Sequence, residues 1–185
     1  MRKLTVFNNV SIDGYFTDAQ GDMSWAHKQD LEWSAWVNEN ASSGGVLMFG
    51  RVTYDLMTMY WPTSMAAKND PVIARRMNAA SKIVVSRSME KATWNNTTLV
   101  KGDLPAAVRM LKHEPGGDIC ILGSGSIVAQ LAPEKLIDLY QLVVGPIVLG
   151  KGRALFEGVE SRLNMKLTGT RAFGNGSVLL CYEPA

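Results

Sequence analysis

Two carboxylates and three turns rich in small residues carry the chemistry that this sequence can do. Asp13 stands in "SIDG", and Asp30 in "WAHKQDLEW", where Trp25, Asp30 and Trp33 follow the spacing W-x4-D-L-x-W. A carboxylate held in an apolar cleft has its pKa raised and can hold or pass a proton. Asp30 is therefore a candidate acid, or a solvated residue beside a core tryptophan. Asp13 reads equally as Asp-Gly turn chemistry and as a group that orients a substrate. If both acids face one cleft, their pKa values are driven apart and one stays protonated near neutrality.

The turns read as anion sites. In "MFGRVTYD" an apolar run ends at Gly50 and a helical pattern begins at Arg51. The unpaired N–H groups of a first helical turn attract an anion. Arg51 adds a planar charge and Thr53 a hydroxyl. In "KIVVSRS" a buried run ends in Ser86, Arg87 and Ser88, two hydroxyls around a guanidinium, which suits an extra monoester phosphate such as a 2′-phosphate. Lys101 closes the adjacent short run and borders the same region. In "CILGSGSIVAQL" the chain leaves an apolar run through Gly123, Ser124, Gly125 and Ser126. Two glycines there serve either a tight turn or the close approach of a phosphate. The stretch lacks a full dinucleotide fingerprint, because Val128 occupies the third glycine position.

These turns need strands before them and helices after them. The periodicity predicts strands at Lys3–Val10, Gly45–Phe49, Lys82–Ser86, Thr97–Lys101 and from Ile119, with a long polar loop after the first. Helices are expected over 25–40, from Arg51, over about Pro71–Ala80, from Asp103 as N-cap with Pro105 in the first turn, and from Ser126. From Leu139 three further strands follow without helices. The pattern predicts one α/β domain over 1–185, three-layered, with a mostly parallel sheet that ends in antiparallel strands. Ligands of such sheets bind at the carboxyl ends of the strands, so the three turns converge on one ligand.

Composition narrows the partners. A net charge of +2 over 185 residues argues against nucleic acid or an anionic membrane surface. No 18 apolar residues run together, and no signal-peptide core opens the chain, so the cytoplasm is the expected compartment. Cys120 and Cys181 are expected as buried free thiols. His27 and His113 lack neighbours at metal-ligand spacing, so no metal is expected. Met48, Met57, Met59 and Met65 read as adaptable core packing. The apolar "LVVGPIVLG" and its Gly150–Gly152 loop suggest a covered edge.

The segments "SIDGYFTD", "MFGRVTYD", "KIVVSRS", "ICILGSGSIVAQL" and "DLYQLVVGPIVLGKGRALFEG", in this order over nearly the whole chain, resemble the dihydrofolate reductase fold. They are most similar to the reductase domain of the riboflavin-pathway deaminase-reductase. The resemblance implies NADPH, with Gly50, Arg51 and Thr53 on its phosphates and Ser86, Arg87 and Ser88 on the 2′-phosphate side. Gly123, Ser124, Gly125, Ser126 and Ile127 would line the pyrophosphate and nicotinamide edge. It also implies a homodimer, and a heterocyclic small-molecule substrate met by Trp25, Asp30 and Trp33, with Asp13 near the nicotinamide. Dihydrofolate reductases carry a cis Gly–Gly bond at the glycine turn; Ser124 replaces the second glycine here, which leaves the isomer open. The motifs of the zinc deaminase half are absent from the sequence. The activities implied are reduction of a pterin, aminopyrimidine or related heterocycle, as in 5-amino-6-(5-phosphoribosylamino)uracil reduction or dihydrofolate reduction. The alternative is a nucleotide-binding module that has lost catalysis.

Overall fold

Strand β1 (Leu4–Ser11) sets the plan, because its alternation is clean: Leu4, Val6, Asn8 and Val10 are buried, while Thr5, Phe7 and Asn9 are only partly covered. The computed structural model describes residues 1–26, 30–40 and 45–185. Around β1 the chain runs through β2 (Tyr15–Thr17), α1 (Leu31–Asn40), β3 (Val46–Gly50), α2 (Arg51–Tyr60), α3 (Ser64–Asn69) and α4 (Pro71–Ala79). There follow β4 (Lys82–Val85), β5 (Thr97–Val100), α5 (Leu104–His113), β6 (Ile119–Leu122) and α6 (Gly125–Leu131). The last elements are β7 (Leu139–Gly145), β8 (Arg153–Ala154), β9 (Met165–Ala172) and β10 (Val178–Pro184).

Eight strands form one sheet in the order β5-β4-β3-β6-β1-β7-β10-β9. Every pairing from β5 to β7 is parallel; β10 runs against both β7 and β9. One face of the sheet packs Val6, Met48, Ile121 and Tyr140 against α5 and α6 through Leu104, Val108, Ile127 and Leu131. The other face packs Phe49 and Val84 against Tyr54 of α2 and Met77 of α4, and Phe7 and Val143 against Trp33 and Trp36 of α1. Three layers result, as the sequence pattern predicts. Asp103 caps α5 by accepting from the Ala106 N–H at 3.0 Å, and Pro105 lies in the first turn.

Several expectations change. The polar loop after β1 contains β2, which pairs with β8 in a second, two-stranded sheet. The helix expected from Trp25 begins at Leu31, after a short 3₁₀ turn at Ser24–Ala26; 27–29, and with them His27, lie outside the described residues. Helix α3 was not expected. Of the strands from Leu139 onward, β9 and β10 pair antiparallel as expected, while β7 adds to β1 in parallel and meets β10 antiparallel on its other side. β7 is thus an internal strand between β1 and β10, which accounts for its apolar character without a partner subunit. Met59 and Met65 are exposed rather than core. Both cysteines are free and half-buried, and desolvation pushes the Cys120 thiol up to about 12, so it stays protonated.

Lys82 shows how a charged residue joins the core. Its side chain is buried, and Nζ donates to the carbonyls of Met77, Asn78 and Ala80 at 2.9, 3.2 and 2.6 Å. These are orphan acceptors at the end of α4. The ammonium also lies 4.5 Å from the Trp94 ring centroid. Burial pushes its pKa from 10.5 down to about 8. Replacing Lys82 by Met should lower unfolding free energy by about 1–3 kcal/mol, since the carbonyls lose their donor. Between pH 8 and 10.5 the unfolded chain holds the proton that the folded chain has released, so folding gains stability as pH rises through that window. Denaturant titrations at pH 8 and 10 should show the wild-type advantage over Lys82→Met growing; a shrinking advantage contradicts the desolvation account.

Candidate functional site

The sheet creates its own crevice. Strands β3 and β1 send their following helices, α2 and α1, to one face, while β6, between them, sends α6 to the other. Where connections diverge from adjacent parallel strands, backbone at the carboxyl ends is left open to a ligand. Along that edge stand, in order, Lys101 after β5, Ser86–Ser88 after β4, Gly50–Thr53 after β3, and Gly123–Ile127 after β6. Three strand spacings separate the ends of this row, roughly 14 Å at about 4.8 Å each. Gly50, Arg51, Thr53, Ser86, Arg87, Ser88 and Gly123–Ile127 all line one continuous depression. Lys101 is exposed outside it.

One serine joins two of these turns. The Ser124 hydroxyl accepts from the Gly50 N–H at 2.7 Å and lies 3.1 Å from both Thr53 Oγ1 and the Leu122 carbonyl. Its single proton serves one of these at a time, so Thr53 donates to Ser124 whenever Leu122 receives it. Asn8 adds a third strand by donating to the Gly123 carbonyl at 3.2 Å. To present its side chain this way, Ser124 takes a left-handed conformation, φ 66° and ψ 55°, directly after Gly123 at φ 62°. The Gly123–Ser124 bond is trans, as are the other described peptide bonds.

The small residues have a protein partner. A Cβ on Gly123 would stand 3.0 Å from Thr53 Oγ1, and one on Gly125 would stand 3.2 Å from the Phe16 ring and 3.3 Å from the Leu155 carbonyl. The close approach that their sequence suggests is therefore made first by the chain itself. Arg51 forms a half-exposed ion pair with Asp55, one turn on, at 3.1 Å, a contact that solvent keeps weak. Ser86 is buried and accepts from the Met89 N–H at 3.0 Å, while Arg87 and Ser88 project into solvent.

The two acids each hold a local structure. Asp13 accepts from the Ser11 hydroxyl at 2.6 Å, the Gly150 N–H at 2.7 Å and the Leu149 N–H at 3.1 Å. The Ser11 hydrogen bond first, opposed by desolvation and helped by the Gly150 and Leu149 N–H groups, holds its carboxyl below the usual 3.8. Asp13 thus shapes the loop after β7 as a carboxylate. Asp30 is the N-cap of α1: Oδ1 accepts from the Trp33 N–H at 2.7 Å, and Oδ2 faces Gly174 between β9 and β10. Trp25 packs its ring edge on Gly145, and its buried Nε1 has no hydrogen-bond partner among the described residues. Trp33 lies edge-on to Phe173 at 5.1 Å and 5.4 Å from Trp36. Asp13, Asp30 and Trp25 lie outside the lining of the depression, and Trp33 lies on it.

Residues that sequence reasoning missed complete the site. Phe7 and Asn9 of β1, Trp36 of α1, and Val52 and Leu56 of α2 line the part of the depression between α1 and α2. The period-two pattern of β1 would have found the first two. Among the described residues no cluster of metal-ligating side chains occurs and no helix is long and apolar enough to cross a membrane.

Known proteins share this fold. A family model described as the RibD C-terminal domain matches residues 2–179. The uncharacterized protein YyaP of Bacillus subtilis is 26% identical over 183 residues, which is 98% of this chain and 95% of YyaP. Among solved structures, a candidate riboflavin biosynthesis protein from Shewanella sp. PV-4 superposes with a TM-score of 0.72 at 23% identity, covering 99% of each chain. A deaminase/5-amino-6-(5-phosphoribosylamino)uracil reductase from Thermotoga maritima gives 0.69 at 17% identity, covering all of this chain and 57% of that one. Dihydrofolate reductase from Enterococcus faecalis, complexed with NADP(H) and RAB-propyl, gives 0.67 at 12%, over 98% of this chain and 96% of that one. The fold is dihydrofolate reductase-like.

The Ser124 junction makes an ordered prediction. Ser124→Ala removes the acceptor of the Gly50 N–H and keeps the strain of a Cβ in a left-handed conformation, a loss of about 1–3 kcal/mol. Ser124→Gly loses the hydroxyl without that strain, so denaturant midpoints should fall in the order wild type, Ser124→Gly, Ser124→Ala. Equal midpoints for wild type and Ser124→Ala would contradict the junction.

Proposed function

Because the chain belongs to the RibD C-terminal domain family, we propose that it is an NADPH-dependent reductase of a pterin, aminopyrimidine or related heterocycle. The observation that supports this most is the row of three turns on one sheet edge, two of them, after β3 and β6, joined by Ser124. Backbone N–H groups at Gly50–Thr53 and Gly123–Ile127 suit the phosphates and the nicotinamide edge. Arg87 and Ser88, exposed beside the buried Ser86, suit a 2′-phosphate. The donor set fits the cofactor: hydroxyls, N–H groups and guanidinium groups, with the Asp55 carboxylate paired to Arg51. Bound along this edge, NADPH supplies a hydride to an electron-poor ring carbon of the substrate.

The chain's own residues then position and protonate. Trp33 and Trp36 offer flat apolar walls, and the Asp13 carboxylate holds the 149–150 loop at the rim of β1. Asp30 is the first choice for the proton, because its Oδ2 is left over by the helix cap. The homodimer that the resemblance implies stays part of this reading. A second reading, a nucleotide-binding module without catalysis, draws support from both acids having structural duties.

Three experiments separate these readings. Arg87→Ala should weaken NADPH by about 1–3 kcal/mol and leave NADH nearly unchanged, the loss of charged hydrogen bonds to one phosphate; equal wild-type affinity for both cofactors contradicts the assignment. Asn caps a helix as well as Asp does, so Asp30→Asn isolates the acid function from the cap. Turnover on a panel of pterins and aminopyrimidines should drop about 10²-fold with stability unchanged. Unchanged turnover removes Asp30 from the chemistry. NADPH binding without oxidation by any of the panel favours the non-catalytic module.

A further inference from the structure

Asn8 and Asn9 are consecutive on β1, and strand alternation sends them to opposite faces of the sheet. Asn8 is buried and gives its amide to the Gly123 carbonyl. Asn9 shares its face with Thr5 and Phe7 and lines the cleft between α1 and α2. The Phe7 ring, 5.8 Å from Trp36, marks that face as the floor. Among the described residues the Asn9 carboxamide has no hydrogen-bond partner.

That is an unfavourable place for an asparagine. The residue is depleted from strands, and this half-buried amide, without a hydrogen-bond partner among the described residues, presents its donor and acceptor to the cleft that it lines. Its position gives it a use: β1 is adjacent to β6, so Asn9 stands beside the Gly123 turn, where the cofactor row reaches the cleft.

We propose that Asn9 is the specificity residue of the cleft, reading a neutral planar heterocycle that presents a donor and an acceptor side by side. This rests on the reductase reading above and names its substrate class. A carboxamide carries one acceptor oxygen and one NH₂ donor in a plane, so it pairs through two parallel hydrogen bonds with a lactam edge, N–H beside C=O. Trp33 and Trp36 wall one side of the ring, and Val52 and Leu56, 48% and 52% exposed, wall the other. The side chains of both walls are uncharged. A ring lacking the paired edge leaves the amide unsatisfied and is rejected.

Calorimetric titration with three pteridines tests this without knowledge of the natural substrate. Lumazine offers the lactam edge, 1,3-dimethyllumazine has its ring donors methylated, and 2,4-diaminopteridine carries an amidine that accepts a proton beside a carboxylate. Wild type should bind lumazine at least tenfold more tightly than the dimethyl compound, and Asn9→Leu should lose that tenfold while leaving the dimethyl compound unchanged. The near-isosteric Asn9→Asp should invert the preference of wild type for lumazine over 2,4-diaminopteridine, which a merely structural asparagine would not do. NADPH fluorescence on the same proteins reports an intact cofactor row. Failure of wild type to bind lumazine, to prefer it over the dimethyl compound, or to lose that preference in Asn9→Leu overturns the assignment. Failure of wild type to bind NADPH overturns the reductase reading instead, since the lumazine comparison needs no cofactor.

Discussion

The hydroxyl of Ser124 sits where two connections leave adjacent parallel strands for opposite faces of the sheet. There it receives the Gly50 N–H, meets Thr53 and stays within reach of the Leu122 carbonyl. Without that contact the β3–α2 and β6–α6 turns would each be ordinary strand ends, free to settle independently. With it they share one geometry, and Asn8 extends the same geometry to β1. The left-handed backbone at Ser124 is the local cost, of order 1–2 kcal/mol for a residue with a Cβ, and three hydrogen-bonding groups near the sheet edge offset it.

The constraint also explains which small residues are needed. A Cβ at Gly123 would crowd Thr53, and one at Gly125 would crowd Phe16 and the Leu155 carbonyl, each more tightly than ordinary contact. Phe16 belongs to β2, and Leu155 follows β8, the pair of short strands that forms the second sheet. The small sheet therefore leans on the glycine turn, and the Asp13 carboxylate fastens the neighbouring loop through Leu149 and Gly150. Loop structure on both sides of the crevice is thus set by contacts within the chain, before any ligand arrives. A pre-shaped edge binds with less ordering cost than one that must fold around its ligand.

Much of this was legible in the sequence. The runs ending at Gly50, Ser86 and Gly123 each show an apolar strand and a polar or glycine break, with a helical pattern after the first and third, and parallel strands must then put all three breaks on one edge. The Asp103 cap of α5 was equally readable, because its mechanism is local. What failed were features decided by distant pairing. Tyr15–Thr17 forms a strand because Arg153–Ala154 lies beside it, and nothing within the polar run announces that. β7 read as an edge strand covered by a partner, because its two neighbours within the chain, β1 and β10, lie far apart in sequence and are not announced by it. Asp30 drew attention as a lone acid among tryptophans, yet Trp33 three positions on is the spacing of a helix cap as well as of a substrate wall.

The central claim is that one ligand spans the ends of β4, β3 and β6. Amide chemical shifts recorded during an NADPH titration test it directly, because each turn contributes N–H groups of its own. The account predicts saturable shifts grouped at 50–53, 86–88 and 123–127, moving with a single dissociation constant. Shifts confined to one of these turns, or centred elsewhere in the chain, would contradict it.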